Sequence, residues 1–146
     1  VPSLDGNGKM SKSENVNATI YLADDDDTIR KKTMKAKSGL SPEQANSPMT
    51  EDIQNLFSLM RLMTDANIVA QYEAAYADCS IRFGDMKKQL AEDMIRFVAP
   101  IRERAADLQK DEARLQRILK EGAEKARASA SETLKATRKL IGINYY

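Results

Sequence analysis

The chain has 146 residues and a mass of 16.3 kDa, enough for one domain with its own core and a short arm. Its 23 Lys+Arg against 22 Asp+Glu leave a net charge of +1, which excludes a global basic field that would draw in nucleic acid; any such contact must come from a local patch. The absence of His removes imidazole general bases, Ser–His relays and His metal ligands, and the single cysteine, Cys79, removes internal disulfides and CxxC zinc sites. Cys79 itself reads as a small buried side chain. No apolar run approaches the roughly 20 residues that span a bilayer, and no signal peptide is present, so a soluble, cytoplasmic protein without a membrane partner is expected. The chain starts at Val1 rather than Met and runs straight into a loop, which reads as part of something longer.

Composition changes along the chain. Three of the four prolines (Pro2, Pro42, Pro48) lie in the first 48 residues, and only Pro100 lies beyond, so a loop-rich N-terminal piece precedes a helical body. Residues 1–17 carry no hydrophobic period, and Asp5-Gly6-Asn7-Gly8 is a run of turn formers, which predicts a mobile loop. The apolar Ile20-Tyr21-Leu22 is positioned to dock it. Asp24 to Asp27 open a helix that carries Arg30, Lys31, Lys32, Lys35 and Lys37 towards its end, acids first and bases last, as the helix dipole favours. The four aspartates read as a helix start rather than a metal site, because oxygen-ligand loops alternate ligands around a bend. Ser38 to Pro48 is a linker.

Thr50 is the expected N-cap of the next helix, with Ile53, Leu56, Phe57, Met60 and Met63 as its buried stripe. Asp65 caps a third, with Ile68, Val69, Tyr72, Ala75, Tyr76 and Cys79 inward, and Gly84 breaks the chain. From Asp85 the stripe Met86, Leu90, Met94, Phe97, Ile101, Ala105 and Leu108 steps by four or three, with a kink expected at Pro100. Asp111 caps the last helix. Its stripe is Leu115, Ile118, Leu119, Gly122, Ala126, Ala130, Leu134, Thr137 and Ile141, and Gly142 stops it. Small residues at Gly122, Ala126 and Ala130 leave room for a close partner helix. Met60, Met63, Met86 and Met94 read as core filling. The expected fold is all-α, an antiparallel helical bundle preceded by an irregular loop.

The chemically informative stretch is Gly6-Asn7-Gly8-Lys9-Met10-Ser11-Lys12-Ser13. Flexible glycines precede two lysines three apart, interleaved with hydroxyls, an arrangement able to bring ammonium and backbone N–H groups onto a polyphosphate. It is not a P-loop, because Met10 follows Lys9 and the earlier glycine is missing. It is not an EF-hand, because Lys9 interrupts the ligands and Val16 holds the twelfth position. On composition alone, a lysine-rich surface loop on a helical protein-interaction bundle is the alternative reading.

Lys9-Met10-Ser11-Lys12-Ser13 resembles the signature loop of class I aminoacyl-tRNA synthetases. Ile20 through Ala36 is similar to the segment that follows this loop in bacterial tryptophanyl-tRNA synthetases. So are Gly84 through Ala91, Pro100-Ile101-Arg102-Glu103-Arg104, Gly122 through Ala126, Thr133-Leu134 and Leu140-Ile141-Gly142. The resemblance covers essentially the whole chain. It implies a division into residues 1–22 (signature loop and remnant of a truncated nucleotide-binding domain), 23–48 (connecting helix and linker) and 49–146 (α-helical anticodon-binding domain).

What the resemblance implies about chemistry is specific. The family activates L-tryptophan with ATP and Mg²⁺ and transfers it to tRNA(Trp). Lys9 and Lys12 would be catalytic, stabilising charge on the departing pyrophosphate. Lys9, Met10, Ser11, Lys12 and Ser13 together would bind ATP. Arg82, Lys87, Lys88, Lys125 and Arg127 are the candidates for tRNA contact. No metal site is expected on the chain itself, nor a tightly held cofactor. The family's other signature, which contains glycine and histidine, is absent along with the tryptophan pocket. The chain alone is therefore expected to be inactive, and the dimer pairing of the whole enzyme to depend largely on the missing half.

Overall fold

The computed structural model describes residues 1–11, 13 and 15–143. All regular structure among them is helical: a short 3₁₀ turn at Val16–Ala18, then α1 (Asp26–Met34), α2 (Glu51–Met63), α3 (Ala66–Ala77), α4 (Phe83–Lys110) and α5 (Glu112–Leu140). The chain divides into two compact units, Val1–Arg102 and Glu103–Tyr146. That division falls inside α4, whereas the sequence-based division placed its boundaries at residues 22 and 48.

In the first unit the N-terminal loop is tied back to the helices. A single antiparallel bridge joins Pro2 to Lys9. The Ser3 N–H donates to the Gly8 carbonyl at 3.1 Å, and the Met10 N–H to that of Val1 at 3.0 Å. Gly6 and Gly8 both take φ above 70°, the left-handed backbone that turns this tight require and that glycine adopts without strain. Leu4 drives the arm into the core. Its side chain is buried, its N–H donates to Ala18 at 2.9 Å, and its carbonyl accepts from Lys37 at 3.3 Å.

The aspartate block divides its work. Asp25, not Asp24, caps α1, accepting from the Thr28 N–H at 2.6 Å. Asp24 turns back to accept from the Tyr21 N–H at 3.0 Å and from Lys32 Nζ at 2.7 Å. Lys32 also donates to the Thr19 carbonyl at 2.9 Å and lies 4.7 Å from the Tyr21 ring centre. This partly buried pair holds the 19–24 segment on α1. It is better protected than an exposed pair, whose net contribution is usually under about 1 kcal/mol.

The core gathers Leu4, Ile29, Ile53, Leu56, Phe57, Leu59, Met60, Met86, Leu90, Met94 and Val98. The α2 stripe is buried as its spacing predicts, with Leu59 added, and Phe57 meets Tyr76 of α3 edge to face at 6.3 Å. Met60, Met86 and Met94 are core residues and Met63 packs against them. Arg30 of α1 grips Glu92 of α4 through two hydrogen bonds of 2.7 and 3.2 Å. Asp93 is buried with its carboxylate accepting from Thr64, Gln89 and Arg96.

Several expectations are corrected. Gly84 does not break the chain; it is the second residue of α4, and a Cβ there would meet nothing within 4 Å. The turn is made earlier, where Cys79 takes φ 65° and Ser80 is bound to Asp78. Cys79 is half-buried, not interior. In α4 the inward row continues from Met94 to Val98 by a step of four, not to Phe97 by a step of three. Phe97 and Ile101 are therefore exposed, while Ile95 and Val98 are buried. Thr50 has N-cap backbone angles but makes no side-chain cap bond.

The second unit holds the end of α4, the Asp111 cap (accepting from the Arg114 N–H at 2.9 Å) and α5. No residue of α5 is buried: Ile118, Leu119 and Leu134 are each about half exposed, so the expected core stripe is uncovered. Gly142 ends the helix as predicted, with φ 73° and the Ile143 N–H returned to the Arg138 carbonyl at 3.0 Å. Among the described residues no helix is long and apolar enough to cross a membrane.

Candidate functional site

The lysine loop begins at Lys9, the residue bridged to Pro2 after the turn that Leu4 anchors. Lys9 is exposed and its backbone forms the bridge to Pro2. Among the described residues it makes no ion pair, which leaves its ammonium available to an anion. Met10 faces the other way and packs on the core. Ser11 is fixed by a reciprocal pair with Thr19: its N–H donates to Thr19 Oγ1 at 3.4 Å, and the Thr19 hydroxyl donates to its carbonyl at 3.3 Å. The Ser11 and Ser13 hydroxyls lie 3.2 Å apart. Lys12 falls outside the described residues.

A cleft of about 390 Å³ opens beside this loop, lined by Ser3, Asp5, Asn7, Gly8, Lys9, Asn15 and Thr19. Asp5 organises its floor. Its carboxylate accepts from the Ser3 hydroxyl, from the Asn7 N–H at 3.0 Å and from Asn15 Nδ2 at 2.9 Å. Those donors, Ser3 foremost, hold its carboxyl down to about 2. The sequence marks Asp5 as a turn former and as a position that fits the rejected EF-hand pattern, and does not single out Asn15 or Thr19. The available signal was the pair of Asx residues flanking the loop, each suited to binding backbone two residues on.

The donor set suits phosphate rather than a metal. Among the described residues no three Asp, Glu, Cys or His side chains are placed to hold a metal ion. The cleft's one carboxylate is already committed to three donors. Among the described residues the Lys9 ammonium and the Asn7 side-chain amide are the donors that remain, since the Ser3 and Thr19 hydroxyls already donate to Asp5 and to the Ser11 carbonyl.

The tRNA candidates fall into two groups. Arg82, Lys87 and Lys88 cluster at the start of α4 in the first unit. Arg82 is exposed, and its carbonyl accepts from the Asp85 and Met86 N–H groups. Lys87 is half-buried, and that burial pushes its ammonium pKa down. Lys88 reaches Asp85 at 3.5 Å. Lys125 and Arg127 are exposed on α5 in the second unit and, two residues apart, point to opposite sides of that helix.

Comparison with known proteins adds four findings. A family model described as tRNA synthetases class I (W and Y) matches residues 1–99. The chain is 52% identical over 142 residues to the tryptophan–tRNA ligase of Porphyromonas gingivalis, covering 97% of this chain and 43% of that protein. It is 36% identical to that of Streptococcus pyogenes serotype M1, covering all of this chain and 43% of the relative. Among solved structures, the tryptophanyl-tRNA synthetase from Campylobacter jejuni, complexed with ADP and tryptophan, superposes with a TM-score of 0.71 at 25% identity, over 97% of this chain and 43% of that one. The chain thus spans under half the length of these relatives.

Proposed function

Since this chain belongs to the class I tRNA synthetases of the W and Y type, we propose that it is the C-terminal portion of a tryptophanyl-tRNA synthetase. Within that enzyme, acting in the cytoplasm, it supplies the phosphate-binding half of the site for tryptophan activation by ATP. The observation that carries this reading is the sequence Lys9 to Ser13, which starts at the residue bridged to Pro2, in a chain 52% identical to a tryptophan–tRNA ligase.

The chemistry follows from the loop. Attack of the tryptophan carboxylate on the α-phosphorus of ATP breaks the bond to the β-phosphate bridging oxygen and leaves pyrophosphate carrying the charge. Ammonium groups already in place lower that barrier, because they strengthen as the charge develops and need no reorganisation. Lys9 and Lys12 take this role, Lys12 foremost. Ser11 and Ser13 hydroxyls hold the loop and the phosphates, and the Met10 backbone lies along the adenine. Mg²⁺ would enter on the ATP phosphates, neutralising them; among the described residues the cleft's carboxylate, Asp5, is engaged by three donors.

Residues 49–146 would then bind the tRNA anticodon, with Arg82, Lys87, Lys88, Lys125 and Arg127 as its basic contacts. Lys88, engaged by Asp85, and Lys87, partly desolvated, are the weaker members. Residues 1–146, which match 43% of the length of the Porphyromonas gingivalis relative, should form no adenylate by themselves. The intact enzyme, assayed by amino-acid-dependent ATP–pyrophosphate exchange, is expected to respond to tryptophan and not to tyrosine. Exchange driven by tyrosine, or by residues 1–146 alone, would overturn the reading.

A further inference from the structure

We propose that Asp5 and Asn15 form a clasp across the base of the lysine loop, and that this clasp positions Lys9 and its neighbours for the activation step. The inference rests on the proposed role of the loop.

The two side chains bracket the nine residues 6–14, and the Asn15 amide donates to Asp5 Oδ2 at 2.9 Å. Just inside the fold, Leu4 and Ala18 are buried, and the Leu4 N–H donates to the Ala18 carbonyl. The two chain segments are therefore already adjacent on the core side. The clasp continues that closure outwards to the root of the loop, where joining the two chain segments narrows the positions open to Lys9.

Each partner is fixed by bonds of its own. Asp5 Oδ1 accepts from Ser3 and Asn7, which sets the carboxylate's plane. Asn15 Oδ1 accepts from the Asn17 N–H at 3.0 Å and starts the Val16–Ala18 turn. With three hydrogen bonds holding its two oxygens, Asp5 is committed to the loop's own groups, so its effect passes through the loop. The clasp is solvent-exposed and adds little to global stability. Loop geometry, not folding, is what it controls.

This pattern allows an exchange. Asp5→Asn alone sets an amide NH₂ against the Asn15 NH₂, and Asn15→Asp alone sets carboxylate against carboxylate. In the double variant, Asn at 5 keeps Oδ1 for Ser3 and Asn7 and donates from Nδ2, while Asp at 15 accepts that bond and still caps Asn17. In the intact enzyme, tryptophan-dependent ATP–pyrophosphate exchange should lose about tenfold or more in kcat/KM for ATP in each single variant. The double variant should recover to within about threefold of the starting enzyme. KM for tryptophan should stay unchanged, and Tm within about 3 °C.

Single variants of full activity would overturn the clasp. So would a double variant that keeps its Tm within about 3 °C and does not regain kcat/KM. Lys12→Ala in the same assay separates the two levels: if it costs nothing, the loop's assigned role fails and takes the clasp with it; if it is severe while the single clasp variants are silent, only the clasp fails.

Discussion

The helices α2 and α5 carry the same kind of apolar stripe and meet different fates. In α2, Ile53, Leu56, Phe57, Leu59 and Met60 all disappear into the core, whereas in α5 no residue is buried. The stripe specifies a helix and the side it would offer, but what covers that side depends on neighbours far away in sequence. α2 lies in a unit where α1, α3, α4 and the N-terminal arm all contribute buried side chains. α5 shares its unit with only the last turns of α4.

The largest expected effect of that contrast is in the core. Phe57→Ala should cost about 3–5 kcal/mol by chemical denaturation, through lost transfer energy and the cavity left beneath Tyr76. Leu119→Ala on α5 should stay within about 0.5 kcal/mol. Comparable losses at the two positions would show that α5 is covered after all.

Polar burial comes next. Asp93→Ala should cost about 2–3 kcal/mol, since Thr64 and Gln89 lose their acceptor at a site only 3% exposed. The cap residues give a sharper, smaller comparison. Asp65→Ala and Asp111→Ala should each cost about 1 kcal/mol, because each side chain accepts a backbone N–H, while Thr50→Ala, whose hydroxyl makes no cap bond, should be near neutral. Equal costs at all three positions would break the argument.

The smallest effect is electrostatic. The Asp5 carboxyl, lowered from 3.8 to about 2, adds stability that is fully present above about pH 4 and is lost as pH falls through about 2. An NMR titration should find its midpoint well below the ordinary aspartate value, and Asn15→Ala should raise it. An unshifted midpoint would remove the electrostatic support for the clasp.

Much of this was readable in advance because it is local. Acids at the start of α1, the caps Asp65 and Asp111, the α2 stripe and the Gly142 stop each follow from a few adjacent residues. The failures are non-local or need one angle more than periodicity supplies. Whether the α4 row ran from Met94 to Phe97 or to Val98 depended on which side the core lay. Gly84 signalled a break that the chain had already made at Cys79, a residue that seldom takes positive φ. In the loop, the lysines and hydroxyls stood out by composition. The role of Asp5 did not, because its three partners are Ser3, Asn7 and the more distant Asn15, and only folding shows that they converge.

The central claim is that the lysine loop stabilises the transition state of tryptophan activation rather than binding the amino acid. Single-turnover formation of tryptophanyl-adenylate by the intact enzyme carrying Lys12→Ala tests it most directly. The rate should fall by about a hundredfold or more, with tryptophan affinity unchanged within about twofold. Equal losses in rate and tryptophan affinity would contradict the claim.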